Sequence, residues 1–296
     1  MARLDDDAVL LSNDSLRRGV LEHRREQLEF LLEAQRLVRE QPLYSRCAHG
    51  IVNSRNSLGV GPESERRVGA LIAEFERCLP EYTLFEFELW FGGEAPTPPH
   101  NDAVFYLTTG QTVALQFWLL LEACTIGGSG EPVDAPRGKN ALECLLPVAP
   151  GVMFPGMTHV LTRDGQVEHR AERVVGGDEM AIGDLLLFKN GVIHTAPGSR
   201  DTFRAALAFR AHLSAEDYAG DVDTLLWFRD ELRRNPELEE RLIHSGNPYF
   251  HRVVRQLKAT PGEGPDLSRV RKVDRHDHAA LRARLAEHDF AGAIRR

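Results

Sequence analysis

The chain has 296 residues, 42% of them apolar and 27% charged, the profile of a globular protein able to bury a sizeable core. Its net charge of −8, with no basic block, argues against a nucleic-acid groove. The opening Met1-Ala-Arg-Leu-Asp-Asp-Asp stretch is acidic and has no apolar h-region, and the longest apolar run, near Val113 to Leu121, is interrupted by Gln116 and too short to span a bilayer. These features predict a cytoplasmic protein with no secretory signal and no membrane association.

Taken in order, residues 12–41 read as one long helix. Ser12, Asn13 and Asp14 offer N-cap oxygens, Leu16, Val20, Leu28, Leu31, Leu32 and Val38 form a stripe, and Pro42 follows. Residues 43–61, with Gly50, Asn53, Asn56, Gly59 and Gly61, read as a loop, and a second helix runs from Pro62 to about Cys78. The pattern then changes to period two. Tyr82 to Phe91 alternates and is rich in aromatics, Val104 to Leu107 is short and apolar, and Thr112 to Glu122 reads as a buried strand. The Gly- and Pro-rich stretch from Gly127 to about Gly138 reads as a mobile loop. Further strands are expected at Ala141 to Pro147, Val152 to Leu161, Arg170 to Val174, Asp184 to Lys189 and Thr202 to Leu213. Helical patterning returns at Ala215 to His244 with a break near Pro236, then at Asn247 to about Leu257, a loop over Thr260 to Pro265, and a last short helix at His278 to His288.

Short strands at regular spacing, without alternating helices, indicate a β-sandwich or barrel. The expected fold class is mainly β with helical flanks (α+β), in a single catalytic domain: a helical flank over 1–80, a β core over 81–213 and a second helical flank over 214–296. Cys47, Cys78, Cys124 and Cys144 are widely spaced with no C-x-x-C pair, so they read as packed core thiols in a reducing compartment. Oligomeric state leaves no mark in the sequence.

The chemistry gathers at Pro98-Pro99-His100-Asn101-Asp102. On a strand, residues two apart point to the same side, so the imidazole of His100 and the carboxylate of Asp102 can converge on one ion while Asn101 faces away. A third ligand from another strand is available at His194. Two His and one carboxylate leave open positions, the arrangement of non-haem Fe(II) oxygenases rather than of a structural zinc. A His-x-Asp pair is common by chance, and His276-Asp277-His278 lies in a charged stretch that reads as solvated surface. The first pair differs in following an aromatic strand and a Pro-rich turn, and in having a second half.

That second half is Gly183-Asp184, the apolar run to Phe188, His194, and Arg204 ten residues later. His-x-Asp, then Gly-Asp with an apolar strand and Phe, then His, then Arg resembles the Fe(II)/2-oxoglutarate-dependent dioxygenases over about residues 82–213. The wording is most similar to their phytanoyl-CoA hydroxylase-like branch. Pro155-Gly156-Met157-Thr158-His159 loosely resembles that branch's Pro-Gly-Ser-His turn, with the Ser replaced and one residue inserted.

The resemblance implies a double-stranded β-helix (jelly-roll, cupin-like) core holding Fe(II) on His100, Asp102 and His194, with 2-oxoglutarate and O2 as co-substrates. The reaction implied is oxidative decarboxylation of 2-oxoglutarate to succinate and CO2, coupled to attack on an unactivated C–H bond of a small molecule. Arg204 is placed to fork the far carboxylate of 2-oxoglutarate. Arg210 shares its face with Ala206 and Ala208 between, and an Arg pair at this spacing also resembles the nucleic-acid dealkylase branch. The bland alternative for Arg204 is an ion pair to a barrel carboxylate such as Glu86 or Glu88. Gln116, polar in an apolar run, contacts co-substrate or substrate, or is a satisfied core amide. Thr195 and Ser199 can donate to a carboxylate or cap a turn. Asp102 favours hydroxylation, because halogenating relatives have a small residue there. Desaturation, cyclisation and epimerisation leave no separate mark.

The pocket is expected from the Gly127 to Lys139 loop, segment 43–61 and the C-terminal helices, where Arg55, Arg137, Lys139 and Arg163 could meet an anionic substrate or be solvated charges. The helical flanks suit a free amino acid or natural-product intermediate, and no basic cluster marks a CoA phosphate. Two other classes fit the same residues: a cupin-type metal protein without 2-oxoglutarate, for which Arg204 has no role, and a non-catalytic binding protein on this scaffold.

Overall fold

A computed structural model describes residues 7–39, 51–53, 62–82, 84–92, 96–102, 114–126, 132–134, 141–148, 151–198, 202–212, 219–244 and 278–294. Thirteen strands are described: β1 (Ala8–Leu11), β2 (Ile51–Asn53), β3 (Leu84–Phe91), β4 (Thr97–His100), β5 (Ala114–Ile126), β6 (Pro132–Asp134), β7 (Glu143–Leu146), β8 (His159–Thr162), β9 (Gly165–Glu168), β10 (Arg173–Gly176), β11 (Leu185–Lys189), β12 (Ile193–Ala196) and β13 (Thr202–His212). The larger sheet runs β1-β11-β5-β13-β3-β2, with β6 paired to the far end of β5. The smaller runs β10-β7-β12-β4, and β8–β9 is a separate hairpin. Every strand pair is antiparallel, and the two larger sheets face one another as a jelly-roll sandwich.

Both faces of the larger sheet are covered, which explains why its central strands read as nearly continuous apolar runs. On β5 the odd positions Leu115, Phe117, Leu119 and Leu121 enter a core shared with helices, while Trp118 and Leu120 enter the chamber between the sheets. On β13, Phe203, Ala205, Leu207 and Phe209 face the helices, and Ala206 and Ala208 face the chamber. Leu186 and Phe188 of β11 and Cys144 and Leu146 of β7 complete the chamber lining. Cys78, Cys124 and Cys144 are buried free thiols, as core packing requires.

The helices are α1 (Asp14–Glu22), α2 (Arg24–Arg39), α3 (Pro62–Cys78), α4 (Ala219–Arg234), α5 (Pro236–His244), α6 (His278–Glu287) and α7 (Ala291–Ile294). No helix among the described residues is long and apolar enough to cross a membrane. The outer face of the larger sheet is covered from both flanks: Leu16, Leu31 and Phe75 join Leu281, Leu285 and Phe290 in one core. Asn13 ties the flanks together. Its side-chain oxygen caps α1 by accepting from the Leu16 N–H at 2.8 Å, and its amide nitrogen lies 2.8, 2.9 and 3.0 Å from the carbonyl oxygens of Leu285, Ala286 and His288.

Several expected boundaries move. The helix expected over 12–41 breaks at His23 (φ −120°, ψ 22°), which turns the chain so that Arg24 forks Glu122 of β5 with two 2.9 Å bonds. β1 was not expected. It pairs with β11, Ala8 opposite Phe188, and covers an edge that would otherwise expose unpaired amides. The strand expected over Val152 to Leu161 is a turn closed by Met157 N–H to Phe154 O at 3.0 Å, with Gly156 at φ 92°, and only its end enters β8. The strand expected from Arg170 begins at Arg173. Strands were also not expected at β9 or β12, and the stretch that reads as a Pro-rich turn before His100 is strand β4, paired to β12. Of the loop stretches, 51–53 and 132–134 form strands. The elements expected at 104–107, 247–257 and 260–265 lie outside the described residues.

Gly183 and Asp184 are scaffold. Gly183 has φ +88°, and a Cβ there would sit 2.5 Å from Arg17 Cα. Buried Asp184 accepts from Ser12 Oγ at 2.8 Å, Arg17 Nη2 at 2.7 Å and Ala181 N–H at 2.7 Å, so the pair docks α1 onto the start of β11.

Candidate metal centre

His100 ends β4 and His194 stands in β12, directly opposite it in the antiparallel register. The two imidazoles are 4.4 Å apart, centre to centre. Asp102 follows two residues after His100. The side chain between them, Asn101, is buried on the other side: its Nδ2 donates to Gly151 O at 3.0 Å and Gly191 O at 3.3 Å, and its backbone N–H to Met153 O at 2.9 Å. Those bonds pin the segment just past the end of β4, and the side chains of His100 and Asp102 converge there with His194.

One ligand atom from each of His100, Asp102 and His194 lies within 4.8 Å of the others. His100 Nδ1 is 2.8 Å from Pro98 O and His194 Nδ1 is 3.1 Å from Val192 O. A carbonyl only accepts, so each Nδ1 carries the proton and each Nε2 turns a lone pair to the centre. Asp102 Oδ1 is 3.5 Å from His100 Nε2, and Oδ2 is 3.8 Å from His194 Nε2. Both separations are too long for hydrogen bonds, and the shorter one suits two ligand atoms on bonds of about 2.1 Å to one ion. The donor set therefore fits a divalent metal of the two-His, one-carboxylate kind.

The electrostatics agree with that use. Burial, aided by the neighbouring imidazole of His100, lowers His194 to about 4, so it is a neutral ligand at pH 7. Burial opposes ionisation of Asp102, but His194, His100, Arg210 and the Gln116 amide outweigh it and hold the carboxyl below its ordinary value. Phe188, 5.1 Å from the His194 ring, closes the apolar side.

The other sequence-predicted residues divide. Gln116 is brought to the centre, where its Nε2 donates to Asp102 Oδ2 at 2.9 Å. Arg210, opposite Gln116 in the β5–β13 register, lies 3.4 Å through Nη1 from Glu88 Oε2, and Glu88 also accepts from Trp90 Nε1 at 3.1 Å. The ion pair weighed for Arg204 is thus made by Arg210. Arg204 is buried on the chamber face of β13, its guanidinium packed against the backbone of Gly92, where a Cβ would come 3.3 Å from Arg204 Nε. Burial lowers Arg204 to about 10, which leaves it a cation at neutral pH. Thr195 is not brought in. Its hydroxyl donates to Thr97 O at 2.7 Å, and it shares with Ile193 the face of β12 turned away from His194. Ser199, Arg55, Arg137 and Lys139 lie outside the described residues.

Sequence reasoning named Glu88 only as an alternative partner of Arg204 and missed Trp90 as a chamber residue. The signal was present: both stand at the even positions of β3 that alternate with the helix-facing Phe87, Leu89 and Phe91.

No protein-family model and no curated protein matches the chain. Among solved structures it is similar to the non-heme alpha ketoglutarate dependent epimerase SnoN from nogalamycin biosynthesis, at 19% identity over 71% of this chain and 79% of that one, with a TM-score of 0.39. It is similar to the carbocyclase SnoK of the same biosynthesis, at 13% identity over 71% and 81%, TM-score 0.39. It is also similar to HygX from Streptomyces hygroscopicus, with nickel and 2-oxoglutarate bound, at 14% identity over 70% and 82%, TM-score 0.40.

Proposed function

We propose that this protein is a non-haem Fe(II)- and 2-oxoglutarate-dependent oxygenase that hydroxylates an unactivated C–H bond of a small molecule, releasing succinate and CO2. One observation carries the reading: two imidazoles with Nδ1 tied to backbone carbonyls present bare Nε2 atoms to the Asp102 carboxylate inside a jelly-roll chamber. His100, Asp102 and His194 would hold Fe(II). With 2-oxoglutarate and O2 it supplies the oxidising power, and this chain's side chains do the rest. Arg204, cationic and buried on the chamber wall, is the anchor for the far carboxylate of 2-oxoglutarate, since a guanidinium gives that group a planar fork. Arg210, held by Glu88 beside the metal centre, is the second cationic contact. Trp118, Leu186 and Phe188 keep the chamber dry, which strengthens each polar contact within it. The substrate is read as an amino acid or a natural-product intermediate.

The test is succinate release from 2-oxoglutarate by anaerobically Fe(II)-loaded protein, with and without a library of small molecules. Stimulated turnover is expected. No turnover with any candidate, together with no change in the metal-bound spectrum on adding 2-oxoglutarate, would sink the proposal. Arg204→Ala should raise the Kd for 2-oxoglutarate by about 10–100-fold, the worth of a charged hydrogen-bonded pair, and leave Fe(II) affinity within a few-fold. Equal loss of both would make Arg204 structural.

A further inference from the structure

Gln116 is the one amide in the run Leu115 to Leu121, and 7% of it is exposed. A buried amide needs partners, and here the partner is a candidate metal ligand: Nε2 donates to Asp102 Oδ2 at 2.9 Å. The other carboxylate oxygen, Oδ1, faces His100 Nε2 at 3.5 Å. The amide is mounted on a stiff platform. β5 lies between β11 and β13, and Gln116 pairs with Phe188 on one side and Arg210 on the other.

We propose that Gln116 is a positioning residue for the metal centre. By holding Oδ2, it turns the Asp102 carboxylate so that Oδ1 alone is offered to the ion, and it keeps Asp102 monodentate. A carboxylate free to rotate could close both oxygens on the metal and take up a position that exchangeable ligands need. A neutral donor suits the task, because an amide N–H orients an oxygen without neutralising the carboxylate, as a Lys or Arg in the same place would. The inference rests on the metal-binding part of the function proposed above and not on 2-oxoglutarate.

The probe is Co(II) alone, titrated anaerobically into the full chain and followed by calorimetry and by its visible d–d bands. Outer partners of metal ligands typically govern 10–100-fold in affinity. Gln116→Leu, close in volume but without a donor, and Gln116→Asn, whose shorter amide falls short of Oδ2, are both expected to weaken Co(II) by that factor and to shift the d–d bands as the carboxylate rotates. Binding within twofold of the parent with unchanged bands in either variant would overturn the assignment. A readout on the parent protein covers variants that fail to fold. With diamagnetic Zn(II) bound, one proton of the Gln116 side-chain amide should stay shifted downfield and slow to exchange, and its loss on Zn(II) addition would also overturn the assignment. A protein that takes up Co(II) normally but never responds to 2-oxoglutarate would overturn the proposed function and leave this role for Gln116 standing.

Discussion

At the scale of single residues, the centre is defined by which atoms are already committed. His100 and His194 each spend Nδ1 on the carbonyl two residues back, so substitution removes an oriented donor and not merely a side chain. His194→Ala and Asp102→Ala should each weaken Fe(II) beyond the roughly 100-fold typical of losing an outer partner, read by calorimetry under anaerobic conditions. Glu88 makes a less obvious prediction. It draws Arg210 to 3.4 Å, while Arg210 already lowers the proton affinity of Asp102 from a distance. Glu88→Gln releases that cation toward Asp102, where it competes with the metal. A loss of about tenfold in Fe(II) affinity, roughly 1.4 kcal/mol, is expected, with recovery in the Glu88→Gln/Arg210→Met double variant. Equal affinity in Glu88→Gln and parent would show that Arg210 stays where it is without its partner. The trio was legible in the sequence because the His100-x-Asp102 pair has a matching second half, Gly183-Asp184 to Phe188, His194 and Arg204, in the order of the family it resembles. The bond from Gln116 to Asp102 was not, because no local pattern says which neighbour a buried amide reaches across 14 residues.

At the scale of elements, the long central strands and α3 were legible, and the shortest strands were not. β5 and β13 are buried on both faces, so their runs of apolar residues leave no competing interpretation. β1 and β12 have four residues each, too few to show a period, and tertiary pairing decides them. The break at His23 was hidden for a similar reason, since both halves have helical propensity and the Arg24–Glu122 fork that accompanies the bend joins residues 98 apart in the chain. Asn13 shows what one cap does for an element boundary. Asn13→Ala deletes the α1 cap and strips the donor from carbonyls of Leu285, Ala286 and His288. About 2 kcal/mol of destabilisation is expected, seen as a fall of about 4–8 °C in Tm. A shift under 1 °C would mean that water replaces the amide at all these sites.

At the scale of the whole molecule, the two flanks form one layer. Leu285 and Phe290, from the far flank, pack with Leu16, Phe75 and Phe209, and the Phe75 ring lies 4.9 Å from that of Phe290. Phe290→Ala should cost about 3–5 kcal/mol in urea unfolding, a large share of the roughly 5–15 kcal/mol that a domain has in total. Retention of the parent midpoint would show that the sheet does not depend on this layer. The strand spacing announced a sandwich or barrel between helical flanks, and the family resemblance a jelly-roll, but neither could say that both flanks cover the same face.

That shared layer sets the order in which the chain can become native. β5 and β13 are synthesised well before Leu281, Leu285 and Phe290, so during translation the outer face of the larger sheet waits with its apolar side uncovered. The strands that carry His100 and His194 are complete by then, yet the helical layer behind the larger sheet is not. A nascent chain stalled after α5 should bind a holdase chaperone and resist iron loading, and release of the remaining residues should relieve both at once.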